Sequence, residues 1–473
     1  MPAQLTTRAQ VNGYRFLLQR FEHALVRRDV RMLHDPMRIQ FRSLITGLVL
    51  AVLFTGGCLV MSYLKPETKI GESKIIMGSV SGALYVVMDK TTLHPVLNLA
   101  SARLVTGSSE SPTQIKDAKL NSLSRGPLLG IPGAPAALLG PDKADRSEWT
   151  LCDDTTSGVQ TTVLDGAPRL TAQVRAVADD QALLATLGDA TYLVYNGKHA
   201  RVDMNNPAIV SALRVRGLRP RPIGNGLLNA TVAAPELAVP GIANAGAPGP
   251  ARMDKLVVGS VIRVDNSRDT TLYVVLSDGV QKVSAFTAEV LRTANSMGMA
   301  AIPLVSPDVI SGVPVLDTLP VDQFPAERPT IVSADDQPIA CVTWSRGKAD
   351  PTARLQLLAG KQLPLPLDAR AMTLVGGGLD GHADASYLPP ATGEFVQVTG
   401  IEPDSTRRDG LFYVTDTGIR FGIPDAATAA MLGLSEPKLV PWQLLSQLPP
   451  GPMLDRQSAL IARDTVRGDG PAR

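Results

Sequence analysis

Cysteine and histidine are scarce in this 473-residue chain, at three and five residues, and their spacing argues against most metal and redox chemistry. No CxxC pair or Cys/His ligand spacing occurs, so zinc binding and dithiol exchange have no motif. His23, His34, His94, His199 and His382 stand far apart. No HExxH, G-x-S-x-G or EF-hand pattern joins any of them to a nucleophile or a cation. A Walker A loop, GxxxxGK[ST], is also missing, and with it the usual nest and lysine for nucleotide phosphates. GGGLDG at Gly376–Gly381 satisfies G-x-G-x-x-G after the strand-like Met372–Val375, but HADASYLPP follows where a pyrophosphate-binding helix would have to begin, so the segment reads as a turn. His382 with Asp384 reads as an ordinary polar loop, and His94 and His199 as structural residues. The net charge of +2 is modest and no recognised motif accompanies it, which argues against nucleic-acid binding. Catalytic sites also assemble from distant residues, so these absences lower the enzyme reading without closing it.

One long uncharged run is present. Ser43–Leu64, SLITGLVLAVLFTGGCLVMSYL, lies between Arg42 and Lys65 and is long enough to cross a bilayer once as a helix. A cleaved signal peptide is the alternative, but its apolar region starts nearer the N-terminus and is shorter. Here a charged, helix-compatible stretch comes first, and the segment reads as an uncleaved single-pass anchor. Arg8, Arg15, Arg20, Arg27, Arg28, Arg31, Arg38 and Arg42 precede it against only Glu22, Asp29 and Asp35, whereas Lys65, Lys69 and Lys74 mix with Glu67 and Glu72 after it. The basic side stays cytoplasmic by the positive-inside rule, and residues 65–473 lie across the membrane. Cys58 falls within the span, leaving Cys152 and Cys341 on the oxidising side, where they suggest one disulfide. Two separate buried thiols are the alternative.

On the cytoplasmic side, Val11–Leu33 places Tyr14, Leu17, Leu18, Phe21, Leu25 and Met32 near one helical stripe. Arg15, Arg27, Arg28 and Arg31 lie largely around it. Tyr14, Arg15, Phe21, Arg27, Arg28 and Arg31 are therefore candidates for contact with a partner or with anionic lipid. Asp35-Pro36 breaks the helical run before the span.

Beyond the membrane one pattern recurs: a Tyr/Val/Leu-rich strand, a tight turn, a second short strand and an Ala/Leu-bearing helix. It appears at Ala83–Val105, Thr191–Leu213, Thr271–Thr293 and Gly410–Leu432. LYVVLSDG at Leu272–Gly279 aligns without a gap on LFYVTDTG at Leu411–Gly418, with Asp278-Gly279 and Thr417-Gly418 expected as hairpin turns. The endings recur as well, as LSRGPLL at Leu123–Leu129, LPPGPML at Leu448–Leu454 and a partial version at Leu316–Pro320. Other stretches, including IACVTWS and ARLQLLAG, read as strands of a different domain. The expected fold is α+β: a cytoplasmic amphipathic helix region (1–42), the transmembrane helix (43–64), and an elongated periplasmic part. In that part four small strand-turn-strand-helix repeats (65–125, 186–237, 256–320, 391–455) surround a mixed, strand-rich central domain (126–185 and 321–390). A Pro/Gly/Ala linker covers 238–255, and residues 456–473 form a C-terminal segment ending in a polar tail after Asp464. Tyr85, Tyr192, Tyr273 and Phe412 occupy matching strand positions; core packing is their expected role, and contact with an envelope polymer the alternative.

RDVRMLHDPMRIQFRS at Arg28–Ser43, the span, LHPVLNLASARL at Leu93–Leu104, GPLLGIPGAP at Gly126–Pro135, WTLCD at Trp149–Asp153, LSDGVQ at Leu276–Gln281 and PWQLLSQLPPGPMLDRQSAL at Pro441–Leu460 together closely resemble the EccB family of mycobacterial type VII (ESX) secretion systems. The resemblance implies an inner-membrane core subunit working with the EccC motor ATPase, EccD and EccE, with no cofactor of its own. It also implies a second EccB-like protomer paired through the periplasmic part. Cys152 and Cys341 match the family's periplasmic cysteine pair. Some members are labelled ATPases; an ATP-hydrolysing subunit is the alternative that this label raises.

Overall fold

The computed structural model describes residues 7–28, 30, 36–64, 73–89, 92–121, 123–140, 145–266, 269–379 and 381–464. They fall into two units, 1–72 and 73–473.

In the first unit, a helix spans Arg8–Arg27. A capping box opens it, with the Thr7 N–H donating to Gln10 Oε1 at 3.0 Å. Arg28 closes it in the left-handed region at φ 55°, its N–H donating to Ala24 O. The helix thus stops short of the expected Leu33, because the left-handed residue ends the hydrogen-bond ladder. Arg31 and Met32 lie outside the described residues. A second helix runs Pro36–Leu64 and contains one apolar span, Gln40–Ser62. Proline is well placed at its start, since the first N–H has no intrahelical acceptor. Within the span, Thr46 and Thr55 return their hydroxyls to the carbonyls of Arg42 and Ala51, so these polar groups are satisfied inside the helix.

The second unit contains four sheets with one connectivity. Each has a three-stranded antiparallel meander, a helix, a segment returning parallel to the first strand, a short helix, and a segment parallel to the third. In the first sheet the meander is Ile75–Gly78, Leu84–Val87 and Thr92–Pro95; Thr113–Ile115 flanks the first strand and Ser124–Arg125 the third. The second uses Gln181–Leu187, Ala190–Tyr195 and Lys198–Val202, flanked by Arg221–Pro222 and Val232–Leu237. The third uses Val261–Asp265, Thr270–Leu276 and Gly279–Val283, flanked by Leu304 and Val315–Leu316. The fourth uses Gly393–Thr399, Leu411–Thr415 and Arg420–Ile423, flanked by Lys438–Pro441 and Pro450. Asn98, Asn206, Ser284 and Asp425 cap the four main helices at equivalent positions, each accepting from backbone N–H groups of the first turn.

A seven-stranded sheet lies between these. Its order is Met372–Thr373, Ala385–Tyr387, Gln160–Asp165, Arg146–Asp154, Ile339–Gly347, Arg354–Gly360, Val174–Ala176. One face, with Trp149, Leu151, Val342, Trp344 and Leu357, shares a core with Leu183 and Ile223 of the second sheet's segments and Val396 and Val440 of the fourth's. The other face carries Cys152, Leu164, Cys341 and Leu358. Two further cores join pairs. Val86 and Leu104 pack with Phe395 and Phe421, linking the first and fourth sheets, while Ile209 and Leu213 pack with Phe286 and Val290, linking the second and third.

Several expected boundaries move. The repeating element starts one strand earlier than the strand-turn-strand-helix pattern and ends two segments and a short helix later, because its outer strands lack the Tyr/Val/Leu signature. Leu183–Ala185, expected in the central domain, pair with Val194–Tyr192 in the second sheet. Gly126 donates to Leu93 O, and Leu129 and Ile131 join the core shared by the first and fourth sheets, so the start of 126–185 also belongs elsewhere. Thr330–Ile331 likewise pair with Gln181–Ala182. The 238–255 linker includes a short helix, Ala251–Met253, whose Met253 is buried against Ile262 and Val275. Residues of the C-terminal segment fold as a helix, Arg456–Ala459, and a strand, Ala462–Arg463, paired with Leu128–Leu129. The tail after Asp464 lies outside the described residues. Gly279 is not a turn residue: it pairs with Leu276, and glycine is required because a Cβ there would meet Pro314 O at 2.2 Å. Gly418 does take the expected left-handed turn, at φ 74°.

Candidate functional site

Several interlocks between sheets stand out among the described residues. The strongest joins the two longest central strands. Their antiparallel register sets Cys341 opposite Cys152 with Cα atoms 4.0 Å apart, and the two form a disulfide spanning 189 residues of sequence. Three rungs along, Trp344 stands opposite Trp149, both buried on the other face, as the two-residue alternation of a strand requires. Trp149 Nε1 donates to Ser147 Oγ at 3.2 Å, and Ser147 Oγ donates to Leu439 O at 2.6 Å, which ties the central sheet to the fourth.

A second interlock faces the second sheet. Asp153 is fully buried and accepts from Thr161 Oγ1 and from the Gly224 N–H, both at 2.7 Å. Thr161 N–H donates to Asp384 Oδ2, also at 2.7 Å. Burial pushes the Asp153 carboxyl above its usual range, against the pull of these two hydrogen bonds; the Asp384 charge adds to the rise and Arg221 opposes it. Arg221, 1% exposed, has no protein hydrogen-bond partner at Nε, Nη1 or Nη2, and burial lowers it to about 10 against the attraction of Asp153. Sequence reasoning missed this group: Arg221 sits in RPRPIGNG, inside the expected repeat 186–237, and nothing in the pattern marks it as buried.

The remaining ties follow the paired cores. Tyr413 Oη donates to Leu139 O at 3.1 Å and accepts from Leu139 N at 2.8 Å, while Arg103 Nη1 donates to Leu432 O at 2.6 Å. Burial holds the Tyr413 hydroxyl at about 12. Tyr195 donates to Gln323 O, and Phe286 lies 6.0 Å from Phe324.

The other expected residues are dispersed. Tyr14, Arg15 and Phe21 are exposed on the N-terminal helix, Arg27 is its last residue and Arg28 its cap. Gly376, Gly377, Gly378 and Gly381 lie in turns, with Gly377 N–H donating to Leu374 O and Gly378 N–H to His382 O, and a strand, Ala385–Tyr387, follows. Asp384 is engaged by Thr161, His94 Nδ1 lies 3.2 Å from Pro127 O, and His199 Nδ1 lies 2.8 Å from Thr231 Oγ1. Among the described residues no group of three or more His, Cys, Asp or Glu could hold a metal ion. Tyr85, Tyr192, Tyr273 and Phe412 each lie in the central strand of a meander and are half-buried.

An apolar anchor helix, a disulfide-bridged central sheet and surrounding meander units define a membrane-anchored α+β scaffold. The pattern of the family described as type VII secretion system ESX-1, transport TM domain B matches residues 3–468. The chain belongs to this EccB family. It is 38% identical over 475 residues, 97% of this chain and 91% of the relative, to the ESX-3 secretion system ATPase EccB3 of Mycolicibacterium smegmatis. It is 36% identical over 484 residues, 100% and 98% of the two chains, to the ESX-1 secretion system ATPase EccB1 of Mycobacterium tuberculosis. A chain of an intact ESX-5 inner membrane complex superposes with a TM-score of 0.76 at 33% identity, covering 100% of this chain and 99% of that one. A chain of an EccB3 dimer from the ESX-3 core complex gives 0.73 at 36% identity, covering 82% and 100%. The protein is a single-pass inner-membrane protein whose larger, strand-rich part is periplasmic.

Proposed function

We propose that the chain is a structural core subunit of an ESX-type secretion complex, anchoring and coupling its cytoplasmic, membrane and periplasmic parts. The observation that carries this is the end-to-end similarity to a chain of an intact inner membrane complex. A subunit of this kind needs a rigid exterior part and an anchor, and the disulfide, the shared cores and the buried polar ties supply rigidity. We read the four sheets of common connectivity as four copies of one unit, and infer that EccC-, EccD- and EccE-like subunits and a second protomer of this chain are its partners. Tyr14, Arg15, Phe21, Arg27, Arg28 and Arg31 supply contact on the cytoplasmic side.

The word ATPase in the relatives' names raises a second reading, hydrolysis of ATP. Against it stand the missing Walker A motif and the turn-and-strand setting of the glycine run. Two experiments test the proposal. Deleting the gene should collapse the membrane complex on native gels while a motor-defective EccC variant leaves it assembled. The purified protein should hydrolyse ATP no faster than a detergent blank; turnover abolished by substitution at a defined nucleotide site would support the second reading.

A further inference from the structure

We propose that the helix Arg8–Arg27 lies on the cytoplasmic leaflet, its apolar stripe at the headgroup boundary and its arginines on anionic lipid headgroups. At about 100° per residue, Val11, Tyr14, Leu17, Leu18, Phe21 and Leu25 fall within a stripe roughly 120° wide. Tyr14, Leu17, Leu18, Phe21 and Leu25 are 46–69% exposed, a continuous apolar strip with no cover among the described residues of its own unit. A stripe of that size is unstable in water and requires an apolar phase or partner.

Charge selects the lipid surface. Exposed Arg8 and Arg15 lie beyond one edge of the stripe and exposed Arg20 beyond the other, while Glu22 is the only acidic residue of the helix. Basic residues bordering an apolar stripe suit a helix lying in an interface, where the stripe enters the acyl boundary and the guanidinium groups remain among phosphates. Chain continuity holds it there. The nine steps from Arg27 to Pro36 reach at most about 30 Å when fully extended, so the stripe is tethered beside the membrane helix. The inference rests on the cytoplasmic placement of this end and needs no other subunit, so its failure is separable from failure of the secretion-core reading.

The test uses the full chain carrying Cys58→Ser, with Leu17→Cys labelled by an environment-sensitive NBD dye and Asn12→Cys as the polar-face control. The protein is reconstituted in vesicles of phosphatidylcholine alone or with about one-third phosphatidylglycerol, with spin-labelled lipid as quencher. Dye on residue 17 should blue-shift and be quenched in the anionic vesicles, and dye on residue 12 should stay water-exposed. Arg15→Ser and Arg20→Ser should each lower the bound-to-free ratio about fivefold, the contribution expected per basic residue at an anionic surface. Equal burial in both lipid mixtures would overturn the electrostatic assignment. A water-exposed residue 17 in both would overturn the proposal, and so would protection that arises only when cytoplasmic partner proteins are added.

Discussion

Reducing the Cys152–Cys341 bridge should cost the periplasmic unit several kcal/mol while leaving its native arrangement in place. The bridge closes a loop of 189 residues. In the chain-entropy treatment, a loop of that length removes about 18 cal/mol/K from the unfolded ensemble, or about 5 kcal/mol at 25 °C. Measured values for disulfides commonly fall at 2–4 kcal/mol, so a loss of about 3–5 kcal/mol is expected. The strand pair is otherwise complete: nine residues of each strand are in register, and the cysteines are fully buried among Leu164, Val174 and Leu358. Loosening is therefore expected in the unfolded state rather than the folded one. Trp149 and Trp344 provide the readout, since both are buried in the same strand pair and only Trp442 of the three tryptophans is exposed. Urea titration of the oxidised protein and of Cys152→Ala/Cys341→Ala, followed by tryptophan emission, should give the same native spectrum and a midpoint shifted to lower urea. Midpoints agreeing to within about 1 kcal/mol of stability would refute the reasoning, since the bridge would then constrain nothing that the unfolded chain does not already constrain.

Other interlocks make separate claims. Asp153→Ala should destabilise by about 1–3 kcal/mol for each buried donor it leaves without an acceptor, Thr161 Oγ1 and the Gly224 N–H, whereas Asp153→Asn, which keeps a side-chain acceptor, should cost much less; chemical denaturation of the two variants distinguishes them. Asp153 is held above its unfolded value, so its protonation favours the folded state. Its contribution is present below the unfolded value and is lost as pH rises through the folded one, a slope that Asp153→Asn should remove from a stability-against-pH series. Tyr413→Phe removes the acceptor for the Leu139 N–H and should cost about 1–3 kcal/mol, measured by the same titration. Gly279→Ala should destabilise strongly, since its methyl would meet Pro314 O, whereas substitution at the open turn glycine Gly188 should cost only the strain of φ 59°.

The membrane helix and the middle of each meander were legible because their signals are local. An uncharged run and β-branched, aromatic strands around a turn need no tertiary knowledge. Even the recurring endings had structural meaning: Ser124–Arg125, Val315–Leu316 and Pro450 each lie parallel to the third strand of their sheet. What escaped was set by distant contacts. Gln181–Leu187 and Arg221–Pro222 carry ordinary strand or loop composition, and the pairing that joins them spans more than thirty residues of sequence. The N-terminal helix was overextended because Met32 continues the apolar period, while a left-handed Arg28 ends the ladder. Cys152 and Cys341 were legible as a pair from topology, but the Asp153–Arg221 group was not, since a buried charge looks exposed in sequence until its neighbours are known.

The most direct test of the scaffold account is quantitative mass spectrometry of the tagged chain purified from its native membrane in mild detergent, with untagged membranes as control. Recovery in fixed ratio with EccC-, EccD- and EccE-like proteins is the predicted result. Reproducible absence of all three from an intact, secretion-competent preparation would contradict it.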